Sequence, residues 1–201
     1  MARLAVGILL FDGFELLDVY GPAELWAKAF DLRLVAEKAG PVTSAQGPQS
    51  LAADSFADRH SYDILLVPGG IGTRREVGNE VTLDWLRRQS EAAKYVTSVC
   101  TGAALLAKAG LLDGRAATSN KIAFQWVVSQ GPNVNWKTQA RWCEDGKFWT
   151  SSGVSAGMDM AVALLAKAVG VEAAQEAAIY AEYDPHKDPD WDPFAKVHGL
   201  V

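Results

Sequence analysis

The residue best placed to do chemistry is a cysteine, Cys100, in the segment VTSVCTG from Val96 to Gly102. A strand-like run ends at this cysteine and the chain turns at once into a predicted helix, which projects the side chain above the edge of a sheet. The free N–H groups and the positive dipole end at the start of that helix favour thiolate over thiol. We therefore predict that Cys100 is a nucleophile whose pKa lies below that of a free thiol.

A buried structural cysteine is the alternative interpretation of Cys100, because free cysteine is among the residue types most often buried. The elbow pattern that exposes a nucleophile usually has glycines on both sides, and here only Gly102 follows. The second cysteine, Cys143, alternates with Trp142 beside a predicted hairpin turn. We predict that Cys143 packs in the interior and that both thiols are free, since no signal peptide is recognised.

A glycine-rich loop follows another apolar strand. The run Ile64 to Val67 ends at the sequence PGGIG, residues 68–72. Glycines at such a position let backbone N–H groups approach a ligand closely. The amides of Gly70 and Thr101 are therefore candidates for a two-donor oxyanion hole, and the alternative is a plain turn between a strand and a loop.

These candidate residues need a scaffold, and the sequence supplies short apolar runs that alternate with helical segments. Apolar runs of strand length occupy residues 4–11, 32–37, 64–67 and 95–99. Segments with helical spacing occupy residues 81–94, 103–109, 156–169 and 171–183. Continuous apolar strands separated by helices are typical of a parallel sheet that is covered on both faces. We predict a single α/β domain over residues 1–201, with a doubly wound, mainly parallel sheet and helices on both faces.

Local signals refine this outline. Pro22 is placed in the first turn of a helix, where its missing N–H costs nothing. Asn120 is expected to cap a helix over residues 122–130, and the Asp-Gly pair at 145–146 is expected to turn a hairpin. From about residue 184 the sequence DPHKDPDWDPF is acidic and rich in proline, so an irregular tail is expected there.

Composition and charge argue against several classes of function. Of the 201 residues, 24 are acidic and 19 basic, which gives a net charge of −5 and no concentrated positive patch for nucleic acid. The apolar stretch at 156–169 is interrupted by Asp159 and Lys167 and is shorter than a membrane span. Two cysteines without metal-ligand spacing do not make a zinc site. We expect a cytoplasmic protein with no nucleic-acid or membrane partner, no metal and no cofactor.

The chain resembles the DJ-1/PfpI (ThiJ) superfamily in several separated motifs. These are ILLVPGGIG at 64–72, TSVCTGA at 97–103 and SSGVSAGMDMA at 151–161. The segment LDVYGPAE at 17–24 is similar to the LDxxGPxE pattern of the isocyanide hydratase branch and of the related sensor domains of AraC-type regulators. The resemblance implies a flavodoxin-like fold, similar to that of class I glutamine amidotransferases, and a homodimer.

The resemblance also implies a proton partner for the cysteine. In the isocyanide hydratase branch the aspartate of LDxxGP hydrogen-bonds the cysteine sulfur, and here that residue is Asp18. A carboxyl beside a thiolate should share a proton with it, and protonated Asp18 would then serve as a general acid. Protease-like members have His directly after the cysteine, where this chain has Thr101, and Asn120 stands where other members have a second His. Proteolysis by a Cys-His mechanism is therefore not expected.

The reaction that the resemblance implies is hydration of an isocyanide, R–NC, to an N-substituted formamide. Cys100 would attack the terminal carbon to give a thioimidate, with Asp18 as the proton shuttle. Water positioned by Asp18 and the Thr101 hydroxyl would then release the product. A small neutral organic substrate is expected, in an apolar pocket with Ile71, Asn120 and Trp126 as candidate lining residues. Two alternatives are glyoxalase- or amidase-type chemistry on small carbonyl compounds, and a redox or ligand sensor with an oxidisable Cys100.

Overall fold

Apolar strand segments and amphipathic helices alternate along the chain in the computed structural model, which describes residues 3–201. In chain order the strands are β1 (Ala5–Leu9), β2 (Asp31–Ala36), β3 (Gly40–Thr43), β4 (Gln49–Ala52), β5 (Asp54–Ser55), β6 (Ile64–Val67), β7 (Tyr95–Ser98), β8 (Ala116–Ala117), β9 (Asn135–Trp136), β10 (Trp142–Asp145) and β11 (Phe148–Ser151). The helices are α1 (Leu16–Trp26), α2 (Thr73–Glu76), α3 (Glu80–Ala92), α4 (Gly102–Lys108), α5 (Phe124–Gln130), α6 (Ala156–Ala168), α7 (Val171–Tyr180) and α8 (Pro193–Val197).

A mostly parallel sheet forms the centre of the fold. Within residues 3–201 it has seven strands in the order β10-β11-β7-β6-β1-β2-β5, and the β10–β11 pair is antiparallel. In the parallel pair of β6 and β7, Val67 lies opposite Ser98. Both strands therefore end at the same edge of the sheet, and the glycine-rich loop after Val67 lies beside Cys100. This edge, at the carboxyl ends of parallel strands, is where open α/β folds bind their ligands.

Helices cover the sheet in two groups, one formed by α1, α6 and α7 and the other by α2, α3, α4 and α5. The apolar strands need this cover because every residue of β6 is buried. Helix α4 lies so close to the sheet that a Cβ on Gly102 would overlap the carbonyl oxygen of Val67. The predicted doubly wound, flavodoxin-like fold is confirmed, and the close packing of α4 fixes the position of the cysteine that precedes it.

Two predictions about where helices begin differ from the structure. Pro22 lies inside α1 rather than in its first turn, because this helix begins at Leu16 and takes in the motif that contains Asp18. Helix α5 starts at Phe124, later than expected, although Asn120 Oδ1 still accepts a hydrogen bond from the Ala123 N–H at 3.0 Å.

The tail that begins near residue 184 is irregular only as far as Asp192. The Asp192 side chain accepts a hydrogen bond from the Phe194 N–H, and Pro193 occupies the first turn of α8. An aspartate cap followed by proline is a favourable helix start, so a short helix forms within a segment that was expected to be irregular. Among the helices of residues 3–201, none has both the length and the apolar character that a membrane crossing requires.

Candidate active site

Cys100 occupies a strained position between β7 and α4. Its φ is 57°, in the left-handed region that residues other than glycine seldom adopt. The backbone is held on both sides, since the Cys100 N–H donates to the Ser152 carbonyl at 3.2 Å and the Ser119 hydroxyl donates to the Cys100 carbonyl at 2.8 Å. Strain of this kind persists only where the surroundings enforce it, and it often marks functional positions. The elbow predicted from the sequence is present without a glycine before the cysteine.

Asp18 is the acidic residue with the larger electrostatic effect on this thiol, ahead of Glu15. It lies in the first turn of α1 and is fully buried. Its Oδ2 accepts a hydrogen bond from the Gly69 N–H at 2.8 Å, whereas its Oδ1 is buried without a hydrogen bond of regular geometry among residues 3–201. Burial raises the pKa of Asp18 well above its ordinary value, while the Gly69 N–H and the Cys100 thiol partly oppose that rise. A buried carboxyl with one free oxygen is suited to take up a proton from a neighbouring group.

The Cys100 thiol has a raised pKa, so the expectation of a lowered one was wrong. Burial is the main cause, and the charge of Asp18 adds to it. The Thr101 N–H and hydroxyl act in the opposite direction but do not outweigh the loss of solvent. Cys100 is only 6% exposed, which explains why desolvation exceeds the effect of the helix start.

Cys100 and Asp18 therefore form a coupled pair. Each negative charge opposes the other, so that removing a proton from one group makes the second proton harder to remove. The thiol is a weak nucleophile while it keeps its proton, and a carboxylate with a raised pKa is a stronger base than an ordinary aspartate. The pair can pass the thiol proton to Asp18 at the moment when the sulfur attacks.

The glycine-rich loop supports this pair rather than offering a free oxyanion hole. The Gly70 N–H, which the sequence assigned to such a hole, donates to Thr101 Oγ1 at 3.1 Å. The hydroxyl of Thr73 lies 3.1 Å from the same oxygen. Gly69 is needed as glycine, since a Cβ there would lie 2.6 Å from the Thr101 nitrogen and 2.8 Å from the Cys100 Cβ. The loop thus fixes the elbow, and of the two predicted donors the Thr101 N–H is the one directed at the sulfur.

Asn120 lies near the Cys100 sulfur, next to Gly153. A Cβ on Gly153 would overlap the Asn120 amide nitrogen and would lie 3.2 Å from Cys100 Sγ. Gly153 therefore leaves room for both the amide and the thiol. Gly153 was not among the predicted site residues, although the first glycine of the SSGVSAG motif was the available signal. Asn120 joins Asp18 and Thr101 around Cys100.

The two other predicted lining residues lie in the loop before α2 and in α5. Ile71 is 68% exposed in the loop before α2, and Trp126 is partly buried in α5. Arg74 was not among the residues predicted for the site, yet its guanidinium carbon lies 3.3 Å from the centroid of the Trp126 ring. Burial lowers the pKa of Arg74 and the charge of Cys100 opposes this, so the guanidinium and the sulfur are within electrostatic range.

A large cavity of the fold lies away from Cys100. It has a volume of about 640 Å³ and lies between α6, α7 and the tail, where Ala163, Ala178 and His186 are among its lining residues. Its walls are mainly apolar and do not include Cys100. We place the candidate active site at Cys100, because the strained backbone and the coupled acid pair are there, and size alone does not identify a reaction site.

The fold and the site define a class of protein: a flavodoxin-like α/β domain with a cysteine on a strained elbow and a buried carboxyl beside it. The DJ-1/PfpI family model matches residues 5–167, and the chain belongs to that family. Over 184 residues it is 38% identical to an isonitrile hydratase of Pseudomonas putida, which covers 90% of this chain and 79% of the relative. A ThiJ/PfpI family protein from Pseudomonas syringae has a similar solved structure, with a TM-score of 0.85 at 29% identity, over 100% of this chain and 85% of that one.

A regulator is also among the relatives. The HTH-type transcriptional regulator GbdR of Pseudomonas aeruginosa is 29% identical over 84% of this chain and 47% of the regulator. This chain therefore spans about half the length of that protein. The family predicted from the sequence is confirmed, and the similarity extends to both an enzyme and a regulator.

Proposed function

We propose that this protein is a cysteine-dependent enzyme that hydrates isocyanides to N-substituted formamides. The observation that carries the proposal is the buried Asp18 carboxyl beside the Cys100 thiol, which provides an acid–base pair without histidine. The three histidines lie elsewhere: His60 is 4.0 Å from Asp54, the His186 N–H donates to Asp159, and His198 follows α8. The similarity to an isonitrile hydratase supports the same reaction.

The first step forms a bond between Cys100 Sγ and the terminal carbon of R–NC. The thiol proton passes to the Asp18 carboxylate as the sulfur attacks, and Asp18 delivers it to the same carbon. The product is a thioimidate, R–N=CH–S–Cys100, with no net gain or loss of protons. Covalent catalysis of this kind needs a nucleophile and a matched base, both of which the pair supplies.

The second step adds water to the thioimidate carbon. Asp18 removes a proton from the water as its oxygen attacks, and returns a proton to the nitrogen. The tetrahedral adduct then collapses: the C–S bond breaks, the hydroxyl proton passes through Asp18 to the departing Cys100 sulfur, and R–NH–CHO leaves. Cys100 is again a thiol and Asp18 is again a carboxylate. The Thr101 hydroxyl, held by Gly70 and Thr73, lies beside the sulfur and is placed to orient this water.

The setting of this chemistry is part of the same proposal. We propose a homodimer in the cytoplasm, with a small organic molecule as its substrate and neither a nucleic acid nor a membrane as a partner. The net charge of −5 supports the exclusion of nucleic acid. Sedimentation of the purified protein tests the dimer directly, since a monomer at micromolar concentration contradicts it.

A sensor is the second candidate function, and the similarity to the regulator GbdR favours it. In that case Cys100 would be oxidised by peroxide, which accepts the sulfur electrons, rather than turning over an isocyanide. Oxidation by peroxide also proceeds through the thiolate, so the raised pKa of Cys100 slows it unless a base takes the thiol proton.

One set of assays separates the candidates. Wild type and Cys100→Ala are incubated with phenyl isocyanide, and N-phenylformamide is followed by its absorbance. Cys100-dependent formation of the formamide is expected. Turnover of methylglyoxal in place of the isocyanide supports the carbonyl chemistry instead. Oxidation of Cys100 by peroxide, with no turnover of either compound, supports the sensor and contradicts the hydratase.

A further inference from the structure

Arg74 is a cation at the candidate active site that the reaction described above does not use. It is the second residue of α2, directly after Thr73, whose hydroxyl lies 3.1 Å from that of Thr101. Within residues 3–201 its guanidinium forms no ion pair and no hydrogen bond, although it interacts with the charge of Cys100. A planar group with five N–H donors is thus available within electrostatic range of the reactive sulfur.

Trp126 holds this cation in place. The guanidinium carbon lies 3.3 Å from the centre of the indole ring, which is a close stacking distance. Trp126 belongs to α5, the helix that follows the turn with Asn120, and Asn120 packs against Gly153 beside Cys100 Sγ. The pair of Arg74 and Trp126 therefore joins the two segments that flank the cysteine, and stacking leaves the N–H edge of the guanidinium free to bind.

The neighbouring arginine shows the contrast. The Arg75 side chain donates to Glu76 at 2.9 Å and to the Asp12 carbonyl at 3.0 Å. Its donors are used to hold α2 against the loop after β1. Of two adjacent arginines, one has a structural role and the other has donors without acceptors in the protein.

We propose that Arg74, stacked on Trp126, binds a carboxylate of the substrate while Cys100 attacks the isocyanide carbon. This inference rests on the proposed hydration reaction and names its substrate class: isocyanides that carry a carboxylate. A guanidinium edge matches the two oxygens of a carboxylate, which form paired, charge-assisted hydrogen bonds with it. The indole face beside the guanidinium offers apolar area for the body of the substrate. The neutral substrate expected from the sequence is replaced by an anionic one with a neutral reacting group.

Turnover of paired substrates tests this assignment. Phenyl isocyanide is compared with 3- and 4-isocyanobenzoate for wild type, Arg74→Gln and Arg74→Lys, with Arg75→Gln as the control of equal charge change. For wild type, kcat/KM for one of the two isocyanobenzoates should exceed kcat/KM for phenyl isocyanide by about tenfold or more. Arg74→Gln should lose that preference and keep turnover of phenyl isocyanide, Arg74→Lys should keep part of it, and Arg75→Gln should keep it in full. If Arg74→Gln lowers kcat/KM equally for all three substrates, Arg74 acts only on the reactivity of the sulfur, and the inference is overturned.

A second measurement does not depend on hydration. Iodoacetamide modifies Cys100 in a Cys143→Ala background, and benzoate or benzamide is added as a protecting ligand. Benzoate should protect at about tenfold lower concentration than benzamide, and Arg74→Gln should abolish this difference. If the protein shows this pattern of protection but hydrates no isocyanide, the anion site at Arg74 is supported and the proposed hydration reaction is contradicted. If benzoate and benzamide protect equally and the protein does hydrate isocyanides, the anion site at Arg74 is contradicted and the hydration reaction is not.

Discussion

The two cysteines of this protein are buried to nearly the same degree but lie in different surroundings. Cys100 is 6% exposed and Cys143 is 9% exposed. Burial raises the pKa of both thiols, to about 12 for Cys143. Cys100 is on a strained elbow with Asp18 and Thr101 beside it, whereas Cys143 lies in the regular strand β10 opposite Thr150. Burial therefore does not distinguish a reactive thiol from a structural one in this fold.

The difference between the two sites is the group that can take a proton. Cys143 is close to Lys121, whose positive charge lowers the thiol pKa somewhat. Lys121 is itself buried, which lowers its pKa to about 8, and its ammonium donates to the Ala140 carbonyl at 2.6 Å and to Thr118 Oγ1 at 2.8 Å. It is a cation held by fixed acceptors. Asp18 has a buried oxygen without a regular hydrogen bond and is able to accept the thiol proton.

The largest expected effect is the loss of the nucleophile. Cys100→Ser should lower kcat for isocyanide hydration by at least about 10³-fold, because the thioimidate no longer forms. Cys143→Ser should keep kcat within about twofold. Both are measured by formamide production with purified, folded protein. Comparable losses in the two variants show that the comparison between the cysteines is wrong.

The proton partner should have the next largest effect. Asp18→Asn should reduce kcat by about 10²–10⁴-fold, because an amide neither accepts the thiol proton nor donates it to the carbon. Glu24→Gln removes an exposed carboxylate from the same helix and should leave kcat unchanged. If Asp18→Asn retains wild-type kcat, Asp18 is not the relay.

Thr101 should have a smaller effect, on both activity and stability. Thr101→Val leaves the Gly70 N–H without its acceptor, whereas the Thr73 hydroxyl still donates to the Gly70 carbonyl at 2.7 Å. The loss should lower the free energy of unfolding by about 1–3 kcal/mol. We also expect kcat to fall about tenfold if one hydrogen bond to the water is lost. Thr101→Ser keeps the hydroxyl and should restore most of both. Equal damage by Thr101→Ser shows that the methyl group, rather than the hydroxyl, is what matters.

The smallest predicted effect is a pH dependence of stability. The folded state holds the Asp18 proton to higher pH than the unfolded state, whose carboxyl has a pKa near 3.8. Stability should therefore fall as the pH rises from about 4 through the folded pKa of Asp18, by about 1.4 kcal/mol for each unit by which that pKa is raised. Urea unfolding at a series of pH values should show this slope in wild type and a flatter curve in Asp18→Asn. Identical slopes in wild type and Asp18→Asn would show that folding does not raise the pKa of Asp18.

The overall architecture was predictable because apolar strands and helices leave a periodic record in the sequence. Runs such as Ile64 to Val67 are buried along their whole length, and only a sheet covered on both faces accommodates them. The hairpin was predictable for a similar reason, since Gly146 takes a φ of 61° at the Asp-Gly turn between β10 and β11. These features depend on neighbours in sequence or on simple burial.

The details of the site were less predictable because they depend on groups distant in the chain. The sequence shows a helix start after Cys100 but not the loss of solvent around the thiol. The predicted direction of its pKa shift was therefore wrong. The Gly70 amide was assigned to a ligand, yet Thr101 takes its hydrogen bond. The contact of Arg74 with Trp126 links residues more than fifty positions apart, and no local pattern records it.

The most direct test of the account is the covalent intermediate on Cys100. Wild-type protein is mixed with phenyl isocyanide, quenched with acid within milliseconds to seconds, and digested for mass spectrometry. The account predicts a transient adduct on the Cys100 peptide equal in mass to one intact isocyanide, with Cys143 unmodified and the formamide oxygen derived from labelled water. Formation of the formamide at the wild-type rate in Cys100→Ser, with no adduct on Cys100 in wild type, would contradict it.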